Sequence, residues 1–158
     1  MKRLWTPWRM EYIESPKQDG CVFCQALEQE DGPENLIIFR GKTSFVMLNA
    51  YPYTSGHIMA LPFIHVRNLI DLNPETRAEL IELTTKATRV LENVYQAQGF
   101  NVGINLGEAA GAGIEEHIHV HIVPRWAGDT NFMAAVGGTR MLPEDLQETY
   151  RRIKAEWE

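Results

Sequence analysis

His117, His119 and His121 alternate with Ile118, Val120 and Ile122. Alternation is the pattern of a β-strand with unlike faces, so Ile118, Val120 and Ile122 are expected on a core and the histidines in a row on the other face, with Pro124 ending the run. Imidazole has an ordinary pKa of about 6.5 and is largely neutral at physiological pH. A neutral ring nitrogen can attack phosphorus, and the phosphorylated ring is a good leaving group once a partner fixes its tautomer. A strand rises ~3.3 Å per residue, which sets His117 and His121 roughly 13 Å apart, and zinc–nitrogen bonds are ~2.0–2.1 Å, so one ion cannot hold all three rings. An adjacent pair could share an ion. As purely structural residues, three such rings would each need partners for both nitrogens, which disfavours that reading. His57 follows Gly56 and either orients the row or is a structural histidine at a strand start. Cys21 and Cys24, the only cysteines, have the spacing of half a zinc site or of a redox pair. A redox pair belongs after a strand in a βαβ setting, which this sequence lacks, and two further ligands would come from the five histidines.

The elements that position these residues are legible in outline. Residues 1–20 form an N-terminal arm, aromatic and basic up to residue 15 and turn-rich after it. A short helix is predicted over 23–30, closed by Asp31-Gly32-Pro33. Leu36 to Arg40 and Ser44 to Asn49 read as a hairpin around Gly41-Lys42. His57 to Leu61 is a third strand, ended by Pro62, with a helical turn near 67–71. Asn73-Pro74-Glu75 is a helix start, and Leu80, Leu83, Ala87, Val90, Leu91 and Val94 recur at helical spacing, with Gly99 as the stop. Phe100 to Leu106 is a fourth strand, 107–116 a glycine- and alanine-rich loop, and the histidine strand the fifth. A last helix is predicted over 143–157, with Leu146, Tyr150, Ile153 and Trp157 on one side. With no repeat and no internal boundary, 1–158 reads as a single α+β domain with a mainly antiparallel sheet.

The chain has 158 residues, 44% hydrophobic and 23% charged, enough for one core. No apolar run reaches the ~20 residues of a membrane span, and the N-terminus has no apolar stretch of a signal peptide, so a cytoplasmic protein is expected. The net charge of −6, with scattered basic residues, argues against a nucleic-acid partner but permits a small anionic ligand.

The run His-x-His-x-His-x-x followed by Pro124-Arg125 resembles the histidine triad (HIT) family of nucleotidyl hydrolases and transferases. The resemblance extends over Cys-x-x-Cys, Asn49, Gly56-His57, the long helix and Asn105. The stretches LWTPWRMEYI, GFNVGINLG, EEHIHVHIVPRW and GDTNFM are similar to the bacterial diadenosine tetraphosphate phosphorylase branch. The resemblance implies a five-stranded HIT-like sheet with one long helix and a C-terminal helix, assembled as a homodimer. It implies His119 as a nucleophile on an α-phosphorus, with His121 and His57 orienting rings or handling protons. Asn49 would hold ribose hydroxyls, Asn105 and the backbone of Ala112 and Gly113 phosphate oxygens, and Trp126 would lie beside the substrate. Gly113 stands where related enzymes often carry Ser or Thr, so it offers only a backbone N–H. Related proteins with Cys-x-x-Cys hold structural zinc at positions matching Cys21, Cys24, His65 and His117.

The expected reaction is cleavage of a dinucleoside polyphosphate through a nucleotidyl-histidine, with phosphate or else water as acceptor. Fixed donors, including His121 and Arg125, would meet the developing charge, and a substrate-bound Mg²⁺ is an expected companion. A nucleotide or nucleoside phosphoramidate hydrolase, and a nucleotide-binding regulatory dimer with little turnover, are the alternatives. A metal-dependent hydrolase using the triad as ligands is the least favoured reading, on the spacing argument.

Overall fold

The computed structural model describes residues 20–129 and 144–158. Most of the N-terminal arm, and Pro143 at the start of the expected last helix, lie outside the described residues.

Five strands form one sheet in the order β1-β2-β3-β5-β4, with every neighbouring pair antiparallel. They are β1 (Ile37–Arg40), β2 (Ser44–Leu48), β3 (Ile58–Pro62), β4 (Gly99–Ile104) and β5 (Val120–Arg125). Among the described residues three α-helices accompany them: α1 (Val22–Leu27), the long α2 (Pro74–Tyr95) and α3 (Leu146–Trp157). This is the expected α+β architecture.

Helix α2 starts as its sequence dictates. Asn73 is the N-cap, its side chain accepts from the Thr76 N–H, and Pro74 occupies the first turn, where no N–H is missed. Leu80, Leu83, Ala87, Val90 and Leu91 are buried, and with Leu48, Ile58, Ile118, Val120, Ile122, Tyr150, Ile153 and Trp157 they belong to one hydrophobic core. The alternating apolar residues of the histidine segment thus face the core, as expected. Gly56 lets the entry to β3 approach α2. Its φ is +80°, and a Cβ there would come within 3.1 Å of Leu91 and Tyr95.

Three expectations are corrected. First, Gly99 does not stop α2. Gln96 is the C-cap, left-handed at φ 51°, and Gly99 opens β4. The Trp126 indole N–H donates to the Tyr95 carbonyl, and the Gln98 N–H to the Arg125 carbonyl, so the chain turns before Gly99 is reached. Second, Pro124 lies inside β5 rather than ending it, whereas Pro62 is the last residue of β3, as expected. Pairing of β3 with β5 goes no further than Ile58–Ile122. Beyond that point the Pro124 carbonyl accepts from Thr54 Oγ1, so no ladder bond is asked of the missing N–H. Third, His117, Ile118 and His119 precede β5 instead of belonging to it. The Ile118 N–H donates at 2.7 Å to the carbonyl of Val66 in the loop after β3, which draws this segment out of the sheet ladder.

Candidate active site

The start of β5 divides the histidine row. His121, inside the strand, pairs in register with Met59 of β3 and Gly103 of β4. His119, just before it, lies 4.7 Å from His121 between ring centroids, nearly perpendicular at 77°. His117 turns to the other side, 5.3 Å from the ring of His65. His57 closes the group from the start of β3, 5.2 Å from His121. His57 and His117 are almost fully buried, and His119 is 7% exposed.

The tautomers follow from partners that can only donate or only accept. His117 Nε2 lies 2.9 Å from the Pro62 carbonyl, so it carries the proton and leaves the Nδ1 lone pair free. His119 Nδ1 lies 2.9 Å from the His117 carbonyl, so it donates there and leaves Nε2 unprotonated. His57 Nδ1 accepts the Tyr53 backbone N–H at 3.1 Å. The neutral His57 ring therefore carries its proton on Nε2, 3.0 Å from His121 Nδ1. His121 accepts there and holds its own proton on Nε2. Burial pushes the pKa values of His117 and His119 below the ordinary range. Burial, and then the neighbouring His119, push His121 down to about 4. All three rings are thus held neutral near pH 7, as these hydrogen bonds require. The result is a nucleophilic nitrogen on His119 beside an N–H donor on His121, the pair needed for displacement at phosphorus.

The second grouping lies at the His117 end. One ligand atom from each of Cys21, Cys24, His65 and His117 lies within 4.8 Å of the others. His117 Nδ1 is 3.4 Å from Cys21 Sγ and 3.7 Å from Cys24 Sγ, and His65 Nδ1 is 3.5 Å from Cys24 Sγ. The edges of a tetrahedron around zinc, with bonds of ~2.0–2.3 Å, are ~3.3–3.8 Å, so the four atoms fit such an ion. Their chemistry fits too. Burial, the hydrogen bond with Cys21 and its charge push the Cys24 thiol up to about 11. Two thiolates side by side call for a cation between them. No other cluster of this kind occurs among the described residues, so the expected Mg²⁺ gains no support.

Phe23 joins the two groupings. It stands between the cysteines on α1, is 5% exposed, and lies 5.5 Å from His117 and 5.3 Å from His119. The sequence reading missed it, although any fold that brings both cysteines to His117 must bring Phe23 there as well. It also missed Tyr53, whose ring lies 4.5 Å from His57 and 6.0 Å from His121. No periodic signal marks a loop tyrosine of this kind.

The other expected site residues are less uniformly gathered. Asn49 adjoins the relay, with Nδ2 3.4 Å from both nitrogens of His57 and Oδ1 accepting the Tyr51 N–H. Asn105 directly follows β4, whose Ile104 pairs with Val120, so the register sets it level with His119. The Ala112 N–H makes a long 3.4 Å contact with the Gly107 carbonyl, and Gly113 is exposed in the same loop. Trp126 is half-buried against the end of α2 through its indole N–H. Arg125 is engaged elsewhere. Its guanidinium binds both oxygens of Asp129, at 2.5 and 2.7 Å, and Asn101 at 2.7 Å.

Comparison with known proteins defines the class. Residues 31–128 match the HIT domain, and the chain belongs to the HIT family. It is 44% identical over 165 residues, spanning 99% of this chain and 85% of the relative, to a Mycobacterium tuberculosis protein named AP-4-A phosphorylase. A Schizosaccharomyces pombe protein named bis(5'-nucleosyl)-tetraphosphatase [asymmetrical] is 36% identical over 93 residues, 59% of this chain and 50% of that one. Among solved structures, a zinc-bound histidine triad family protein from Mycobacterium smegmatis superposes with a TM-score of 0.70 at 28% identity, covering 87% of this chain and 93% of that one.

Proposed function

We propose that this protein is an enzyme that cleaves dinucleoside polyphosphates, diadenosine tetraphosphate in particular, by passing a nucleotidyl group through His119 to phosphate. One observation carries the reading: the His117 carbonyl fixes the proton of His119 on Nδ1, leaving a neutral Nε2 beside a proton-bearing His121. The 44% identity to a phosphorylase over nearly the whole chain supports the substrate class. His119 Nε2 attacks the α-phosphorus, a P–N bond forms, and the P–O bond to the departing ATP breaks. His121 Nε2–H hydrogen-bonds the departing oxygen, and His57 holds His121 in that tautomer. A phosphate oxygen then attacks the same phosphorus, the P–N bond breaks, and ADP leaves. In this reading Asn49 holds ribose hydroxyls, Asn105, Ala112 and Gly113 contact phosphate oxygens, and Trp126 borders the substrate. The likeness to a tetraphosphatase favours a second reading, with water as the acceptor and AMP as the product.

The cluster of Cys21, Cys24, His65 and His117 is read as a structural zinc site, supported by its geometry and by the zinc-bound relative. A structural zinc supplies cross-linking and no reacting group, and here its residues would hold α1 against the histidine row. Residues 1–158 are read as one domain, since α3 shares its core with the sheet and α2. The outer edge of β4, unpaired among the described residues and with Val102 50% exposed, suits a second copy of the chain in a homodimer. A reducing, cytoplasmic setting suits the two free cysteines. Among the described residues no helix is long and apolar enough to cross a membrane.

Incubation with diadenosine tetraphosphate, with and without phosphate, tests the activity. ADP that forms only with phosphate upholds the phosphorylase. AMP throughout transfers the case to the hydrolase, and the absence of turnover with tight nucleotide binding overturns both.

A further inference from the structure

Tyr53 lies four residues before His57, in a loop that His57 closes at both ends. The His57 N–H donates to the Thr54 carbonyl at 3.2 Å, and its carbonyl accepts from the Asn49 N–H at 3.0 Å. This places the Tyr53 backbone N–H on His57 Nδ1 at 3.1 Å. The same residue lays its ring across both imidazoles, 4.5 Å from His57 and 6.0 Å from His121, inclined by only 27° to the latter. Tyr53 as a whole is 39% exposed, and its ring lies between the imidazole pair and solvent.

These contacts have complementary effects. The backbone donor excludes the His57 tautomer with a proton on Nδ1. It thereby sends the His57 proton toward His121 and the His121 proton outward. The ring limits rotation of both imidazoles and keeps water from their faces. We propose that Tyr53 is a positioning residue of this enzyme, holding His57 and His121 in the one tautomer and orientation that presents the His121 N–H to the departing nucleotide. The proposal rests on the reading of His121 given above. Among the described residues, the titratable groups facing His121 are His57 at the start of β3, His119 before β5 and Tyr53 itself. Its register partners Met59 and Gly103 bring no charge.

Tyr53→Ala keeps the backbone donor and removes the ring, whereas Tyr53→Phe keeps both. Loss of one aromatic contact is expected to lower kcat about 5- to 10-fold in Tyr53→Ala, with KM within about twofold, and Tyr53→Phe is expected to recover most of that loss. A purely structural role would not move a second quantity, the titration of the His121 ring followed by NMR without substrate. Opened to water, that ring should titrate about one unit or more closer to its ordinary value in Tyr53→Ala. Unchanged kcat and midpoint in Tyr53→Ala would overturn the proposal. So would a rise in KM alone, which would mean that the ring binds substrate, and so would a Tyr53→Phe variant no better than Tyr53→Ala. If the wild-type protein fails to turn over diadenosine tetraphosphate, the functional reading falls, and the NMR midpoint decides the role of Tyr53 by itself.

Discussion

The two ends of the histidine row are built differently. At the His117 end, side chains from α1, from the loop after β3 and from the segment before β5 converge on one point, and the ring is sealed from solvent. At the His121 end, the rings are linked edge to edge, one N–H donating to the next, and the wall is a half-exposed tyrosine. The first end gathers four atoms that could hold an ion. The second fixes proton location with hydrogen bonds. His119 lies between them, oriented by the His117 carbonyl and set beside the His121 ring whose proton the relay positions. One alternating stretch of sequence therefore serves two kinds of constraint, and neighbouring histidines need not share a task.

The largest expected effect falls at the point between the ends. His119→Ala should lower turnover at least about a thousandfold and abolish any nucleotidyl adduct, read by mass spectrometry of the protein after a short incubation. Next comes the anchoring end. Cys24→Ser, or chelation, should remove the bound metal and lower the melting temperature by about 10 °C or more, measured beside metal content. Retention of full metal by Cys24→Ser would break the contrast. Phe23→Ala tests whether the anchor reaches the nucleophile. Stability should drop by about 3 kcal/mol in denaturant titration, and kcat should fall about tenfold, more than the loss of folded protein accounts for.

The smallest effect concerns acid. The pKa of His121 is lowered from 6.5 to about 4 on folding, so between those values the unfolded chain binds more protons than the folded one. Its contribution is complete above 6.5 and is lost as pH falls toward about 4. Wild-type melting temperature should decline through that window, and His121→Gln should show a shallower decline. An equal slope in both would place the acid sensitivity elsewhere.

Much of this was legible in the sequence. Alternation assigned Ile118, Val120 and Ile122 to the core, and all three are buried there. Asn73-Pro74 marked the start of α2, and the distance along an extended chain separated His117 from His121. What escaped had non-periodic causes. The start of β5 depends on the Val66 carbonyl, a loop partner that no pattern encodes. The end of α2 depends on Trp126, thirty-one residues beyond its partner Tyr95. Arg125 read as a free phosphate donor because Asp129 and Asn101 become its partners only when the chain turns back. Tyr53 was hidden because a loop has no face until its closing bonds are known.

The cluster at the His117 end also has a consequence for the chain before it folds. Cys21 and His117 are 96 residues apart. All of β1 to β4 and the whole of α2 lie between them. An ion held at both ends would close a polymer loop of that length, and a cross-link spanning about 100 residues removes about 4–5 kcal/mol of configurational freedom from the unfolded ensemble. Bound metal would thus act chiefly on the disordered chain, penalising every conformation in which the two ends drift apart.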